Sequence, residues 1–314
     1  MKYDLTQARK CIETLDKRRF DRALLGSGDA FRHIVSLVPL LLHLNHPALP
    51  GYVEDAPAGI ADFILSNYQQ NFLSKEHPEL VEDVQSAVNS DTVFAPILGI
   101  YVMGSFGSIS QTSASDLDIW ICHQDDLSEQ DQQRLAEKTK KITQWASTFH
   151  VEMHFYLMTQ KRFRNERYSD PLTKENSGSA QYMLLLEEFY RSAVRLAGKP
   201  LLWLHLWVED EKQYEAEVSR LVEAGELDPN DWVDFGGLGQ FSASEYFGSS
   251  LWQLYKGIDS PYKSVMKILL LETYAQEYPN AHLIARQFKE DLLSGRSTAA
   301  HHFDPYIAIL ERIS

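Results

Sequence analysis

Residues 103–123, MGSFGSISQTSASDLDIWICH, set two Gly-Ser pairs and a run of small polar residues against an Asp-x-Asp that opens an apolar segment. The preceding run, FAPILGIYVM (94–103), is apolar and stops at Gly104, which predicts a buried strand. DLDIWICH predicts a second strand, so the polar stretch joins the two. Successive side chains on a strand point to opposite faces, which puts Asp116, Asp118, Trp120 and Cys122 on one face and Leu117, Ile119 and Ile121 on the other. VEMHFYLM (151–158) alternates in the same way. Val151, Met153, Phe155 and Leu157 form its apolar face; Glu152, His154 and Tyr156 point the other way. If these strands are neighbours, Glu152 joins Asp116 and Asp118 on one surface.

Clustered carboxylates on a buried strand repel one another and are costly to desolvate, so a positive group should compensate them. A magnesium-type ion is the natural partner, because it prefers one or two carboxylates with phosphate oxygens and retained water. Three carboxylates on two strands match a two-metal phosphoryl-transfer site holding two Mg2+ or Mn2+ ions. An Asp-x-Asp at a strand rim is common by itself. Here it follows a strand, a Gly-Ser and ten further residues. A glycine at such a turn lets backbone N–H groups face a phosphate. That order predicts catalysis by Asp116, Asp118 and Glu152, with the same three as metal ligands, and substrate contacts from Gly104, Ser105 and Ser115.

The rest of the chain sets the frame. Its 314 residues, 44% hydrophobic and 24% charged, suit a globular protein with a substantial core. Two cysteines, Cys11 and Cys122, give neither a disulfide framework nor zinc spacing, which fits a reducing, cytoplasmic compartment. The run Leu37–Leu42 is too short to cross a bilayer and contains Pro39. A net charge of −14 argues against a long nucleic acid as partner, but not against a small nucleotide held with metal.

Residues 1–45 read as helices interrupted by Gly26, Gly28 and Pro39, and 60–92 as helical. Helices are expected at 127–148 and 181–197, a fourth strand at 200–208, and helices only at 211–224, 242–256, 261–277, 281–293 and 303–314. The fold class is α+β, a small mixed sheet flanked by helices. It divides into an N-terminal helical region (1–92), a catalytic core (93–210) and a helical subdomain packed on the core (211–314). The chain stops inside an apparent amphipathic helix, DPYIAILERIS, as a piece of a longer protein would.

Met103-Gly104-Ser105, Asp116-Leu117-Asp118 and Glu152 together resemble the signature of the DNA polymerase beta-like nucleotidyltransferase superfamily. The segments LLLHLNHPALPGYV, SDLDIWICHQ, LLLEEFYRSAVRLAGKPLLW and EYFGSSLWQLYKGIDSPYKSVMKILLLE resemble the catalytic N-terminal part of the class I adenylate cyclases of gammaproteobacteria. They spread over almost the whole chain. The resemblance implies a nucleotidyltransferase-type fold, ATP as substrate, and cyclic AMP and pyrophosphate as products. It places Glu152 near the 3′-hydroxyl, Asp116 and Asp118 between both ions, and Ser105 with neighbouring amides on the β- and γ-phosphates. It also implies a C-terminal region, not recognisable here, that answers to the sugar phosphotransferase system. The alternative reading is AMP transfer to a protein or small acceptor by the same site; a catalytically dead nucleotide sensor is a third.

Triphosphate charge calls for cations beyond the metals. In DSPYKSVMKILLLETY, Ser260 reads as an N-cap with Pro261 at the first helical position, and Lys263 and Lys267 lie one turn apart on a largely apolar helix. Related nucleotidyltransferases carry triphosphate-binding lysines on a comparable helix, so both are assigned to substrate. Lys256 reads as a surface residue and Trp252 as core. Glu187 and Glu188 are expected to pair with Arg191 or Arg195 across a helix turn.

Overall fold

The computed structural model describes residues 5–82, 84, 95–113, 115–165, 182–294 and 302–314. Two helices open it, α1 (Leu5–Leu25) and α2 (Asp29–His43), followed by α3 (Asn67–Glu76). Strands β1 (Ile97–Met103) and β2 (Leu117–His123) flank the Gly-Ser stretch. Then come α4 (Glu129–Ser147), β3 (Met153–Met158), the short α5 (Gln160–Asn165), α6 (Tyr182–Ser192) and β4 (Val194–Gly198). Helices α7 (Tyr214–Glu223), α8 (Ala243–Lys256), α9 (Pro261–Gln276), α10 (Ile284–Leu293) and α11 (Pro305–Ile313) complete the fold.

The sheet order is β3-β2-β1-β4, with β2 parallel to β3 and β1 antiparallel to both β2 and β4. Strand alternation splits the core as expected. Tyr101, Met103, Trp120 and Cys122 pack with Ile12 and Leu15 of α1 and with Leu186 and Phe189 of α6. Val102, Leu117, Ile119, Ile121 and Met153 face the apolar stripes of α2 and α4. A third cluster, built on Leu270, Leu271, Tyr274, Tyr306 and Ile309, holds the C-terminal helices together. The mixed α+β architecture is therefore as expected.

Three details differ from the sequence reading. The fourth strand is Val194–Gly198, not 200–208, and it takes the end of the expected helix 181–197. Helix α6 stops at Ser192, whose hydroxyl donates back to the Glu188 carbonyl (2.6 Å), and Val194 then pairs with Val102 of β1. The run 200–208 is apolar because the core surrounds it, not because it alternates. It makes a single bridge, Leu201 to Val233, and a 3-10 turn in which Trp203 stacks on Tyr190 at 4.3 Å. Within 60–92, residues 60–66 are not helical and Ile60 bridges Ile97, while 83 and 85–92 lie outside the described residues. Pro39 sits inside α2 without ending it; burial of the helix from Ile34 to His43 outweighs the missing N–H.

A buried carboxylate joins the C-terminal helices to the core. Glu187 of α6 forms an ion pair with Arg191 (2.9 Å) and also accepts from the Tyr274 hydroxyl (3.2 Å) and the Ala285 amide (3.1 Å). Glu187→Ala would strand all three partners, and we expect a loss of about 3–5 kcal/mol in urea unfolding. Two buried histidines, His43 and His205, are each held down to a pKa of about 4 by burial. His43 Nδ1 accepts from the Ile60 amide (3.1 Å), a bond that requires the neutral ring. Their contribution is present above the ordinary histidine pKa and is lost as pH falls through about 4, on the order of 3 kcal/mol each. The urea midpoint should therefore drop between pH 6.5 and 4, and His43→Gln should flatten part of that slope.

Candidate active site

The register of the sheet builds the site. Asp118 pairs with Met103 on one side and with His154 on the other, so the Gly104 turn, the Asp-x-Asp and the start of β3 meet at one end of three adjacent strands. A cleft of ≈ 890 Å³ opens there, and α8 and α9 contribute to its wall. All eight residues singled out in the sequence line it: Gly104, Ser105, Ser115, Asp116, Asp118, Glu152, Lys263 and Lys267.

Gly104 has φ +82, a conformation that disfavours any Cβ, and this turns the chain out of β1. Its N–H donates to the Ser192 hydroxyl (3.1 Å), so that amide is already committed. The neighbouring Ser105 differs: it is buried, it lines the cleft, and its amide and hydroxyl have no protein partner among the described residues. The turn itself is rigidly tied. Arg19 of α1 donates to the Phe106 carbonyl (2.8 Å), and Asp304 at the N-cap of α11 accepts from the Ile109 amide (2.8 Å). Ser115 accepts from the Thr112 amide (3.0 Å), which closes the second half of the loop.

Asp118 is half-buried and Asp116 exposed at the rim. Burial first, and then the Asp116 charge, push the Asp118 carboxyl up to about 6; His154 and Lys267 offset part of this. The Tyr156 hydroxyl donates to Asp118 Oδ1 (3.3 Å). Glu152 immediately precedes β3, is 71% exposed, and contacts His154 Nε2 at 3.2 Å. Among the described residues no three His, Cys, Asp or Glu side chains stand close enough together to hold a metal ion. The third carboxylate is thus on the cleft wall but turned to His154, because a side chain just ahead of the strand is free to rotate. Two neighbouring carboxylates short of donors nevertheless suit a divalent ion that takes its other ligands from phosphate and water.

The two lysines differ. Lys267 binds Glu188 of α6 (2.6 Å). Burial alone would raise the Glu188 carboxyl, but the charges of Lys267 and Arg191 outweigh it and hold it low. Glu188 therefore pairs across to α9, whereas the sequence reading kept it within its own helix; the Glu187–Arg191 pair is as expected. Lys263 makes no ion pair among the described residues, and burial lowers its pKa against the pull of Asp116 and Asp118. Sequence reasoning also missed Trp252, Lys256 and Tyr306, which line the cleft. Lys256 Nζ lies 5.4 Å from the Trp252 ring centroid. Their helical spacing alone does not distinguish a cleft wall from a core.

Residues 4–204 match the family model described as "Adenylate cyclase NT domain", and residues 241–314 match "Adenylate cyclase, class-I, second domain". The chain belongs to the class I adenylate cyclase family. It is 67% identical to the adenylate cyclase of Haemophilus influenzae over 319 residues, which is 100% of this chain and 38% of that protein. It is 62% identical to the adenylate cyclase of Pasteurella multocida over 99% of this chain and 37% of that one. Against the Escherichia coli K12 adenylate cyclase the identity is 44% over 96% of this chain and 35% of that one. The chain therefore spans well under half the length of these relatives. Among solved structures, spectinomycin adenyltransferase AAD(9) from Enterococcus faecialis, with ATP and spectinomycin, is similar at 14% identity and a TM-score of 0.34, covering 76% of this chain and 90% of that one. A likeness that weak bears no weight at the site. Among the described residues, no helix is long and apolar enough to cross a membrane.

Of the two lysines on α9 that line the cleft, Lys267 is committed to Glu188 and Lys263 has no ion pair among the described residues. Lys263→Ala should weaken binding of a nucleoside triphosphate with little change in melting temperature. Lys267→Ala should weaken it and also cost about 1–3 kcal/mol of stability, because Glu188 is left without its partner. Titration calorimetry and thermal unfolding of both variants separate the two roles.

Proposed function

We propose that this chain is the catalytic part of an adenylate cyclase that converts ATP to 3′,5′-cyclic AMP and pyrophosphate. The observation that carries the reading is the Asp116–Asp118 pair facing the Gly104-Ser105 turn and Lys263 across one cleft, in a chain of this family. The Ser105 amide and hydroxyl and the Lys263 ammonium would bind the β- and γ-phosphates. Lys267 would add charge from its place on Glu188. Asp116 and Asp118 would hold Mg2+ or Mn2+, and Glu152, swung from His154, would complete a site for two ions. When bound, the ions supply a lower pKa on the attacking hydroxyl and neutralise charge on the leaving pyrophosphate.

The reaction needs no acceptor. The 3′-oxygen forms a bond to the α-phosphorus, the bond from that phosphorus to the bridging oxygen breaks, and pyrophosphate leaves. Glu152 would act near the 3′-hydroxyl, either as base for its proton or as ligand of the activating metal, with His154 Nε2 beside it. In the longer protein, as the family resemblance implies, a C-terminal region would make this output responsive to the sugar phosphotransferase system.

Incubation with ATP and magnesium or manganese, without acceptor, should give cyclic AMP by mass spectrometry. AMP transfer seen only when an acceptor is added would overturn the reading. Asp116→Asn and Asp118→Asn should each lower cyclic AMP formation by orders of magnitude. Melting temperature should hold or rise, since removing one of two adjacent charges relieves repulsion. Loss of folding in both would make these aspartates structural instead.

A further inference from the structure

Among the described residues the cleft is lined by one carboxamide, that of Gln253 on α8. Gln253 is 6% exposed, lines the cleft, and its side-chain amide makes no hydrogen bond among the described residues. Ser264 of α9 is in the same state: 3% exposed, lining the cleft, its hydroxyl unpartnered among the described residues. Both sit near the turn that joins the two helices, close to Gly257. A Cβ on Gly257 would lie 3.4 Å from the Gln253 carbonyl oxygen and 3.7 Å from the Ser264 Cβ. Neither group is among the fully buried unpartnered atoms of the described residues, so a largely buried amide and hydroxyl keep their polar atoms open, available to a ligand in the cleft they line.

The cleft also has apolar lining, with Lys256 Nζ 5.4 Å from the Trp252 ring centroid. Met158, Leu185, Trp252 and Met266 form it, and Trp252 is buried on all but 9% of its surface. In the proposed reading phosphates and metal belong with Asp116, Asp118, Ser105 and Lys263, so the flat, apolar part of the substrate falls to the apolar side chains of the cleft. We propose that Gln253 reads the adenine base there, its carbonyl accepting from the 6-amino group and its NH2 donating to N7. A carboxamide matches the adjacent donor and acceptor of adenine at N6 and N7, whereas guanine presents two acceptors along that edge. This inference rests on the reading of ATP as substrate and adds how the base is chosen.

The test is equilibrium binding, with Mn2+ present, of ATP, purine riboside triphosphate (ATP without its 6-amino group) and 7-deaza-ATP. Wild-type protein should bind ATP about tenfold or more tightly than purine riboside triphosphate, the size of a good base contact. Gln253→Met, similar in volume but without the amide, should bind the two within about twofold of each other. Gln253→Glu keeps the acceptor and loses the donor. It should retain the preference for the 6-amino group and no longer distinguish ATP from 7-deaza-ATP. If Gln253→Met does not fold by circular dichroism, Gln253→Glu decides alone. Equal wild-type affinity for ATP and purine riboside triphosphate, or an undiminished preference in Gln253→Met, overturns the inference. A wild-type preference that vanishes in Gln253→Met without any cyclic AMP being formed supports the base reader and removes the cyclase reading, so the two fail separately.

Discussion

A half-buried carboxylate beside a second one is the constraint around which this molecule is arranged. Asp118 loses water, faces Asp116, and is pushed up to a pKa of about 6. It persists because the Tyr156 hydroxyl donates to it from the adjacent parallel strand and because His154 and Lys267 bring positive character nearby. One of these supports comes from α9, far along the chain. The C-terminal helices are therefore part of the electrostatics of the sheet, and a divalent ion with a triphosphate would complete the balance from the cleft side.

Helix α6 carries that dependence in two consecutive residues. Glu187 looks into the protein and gathers Arg191, Tyr274 and the Ala285 amide; Glu188 looks into the cleft and holds Lys267. Adjacent positions on a helix point about 100° apart, so one turn can serve both packing and site. The loop after β1 shows a similar economy. It is pinned by Arg19 from the first helix and by Asp304 at the start of α11, while the Ser105 amide and hydroxyl have no protein partner among the described residues.

How much could be read in advance depended on whether the signal was local. The Asp-x-Asp, the strand alternation of 117–123 and 153–158, and the glycine at the turn are short-range patterns, and each led to the right face of the right strand. The stretch 194–208 failed because burial and strand formation leave the same apolar trace. VRLAG alternates weakly beside a stronger helix pattern, while LLWLHLW is apolar on every side and is not a strand. Glu188 was assigned to its own helix because a partner one turn away is visible in sequence and a lysine on another helix is not.

The sequence by itself determined the α+β class, the family resemblance, and eight of the residues that line the cleft, since those rest on residue type and short spacing. Only the tertiary structure decided which of them are free to act. Gly104 has its amide taken by Ser192, Lys267 is held by Glu188, and Glu152 is turned to His154, whereas Ser105 and Lys263 remain open. Those outcomes depend on contacts between residues many positions apart, whose geometry exists only once the helices have packed against the sheet.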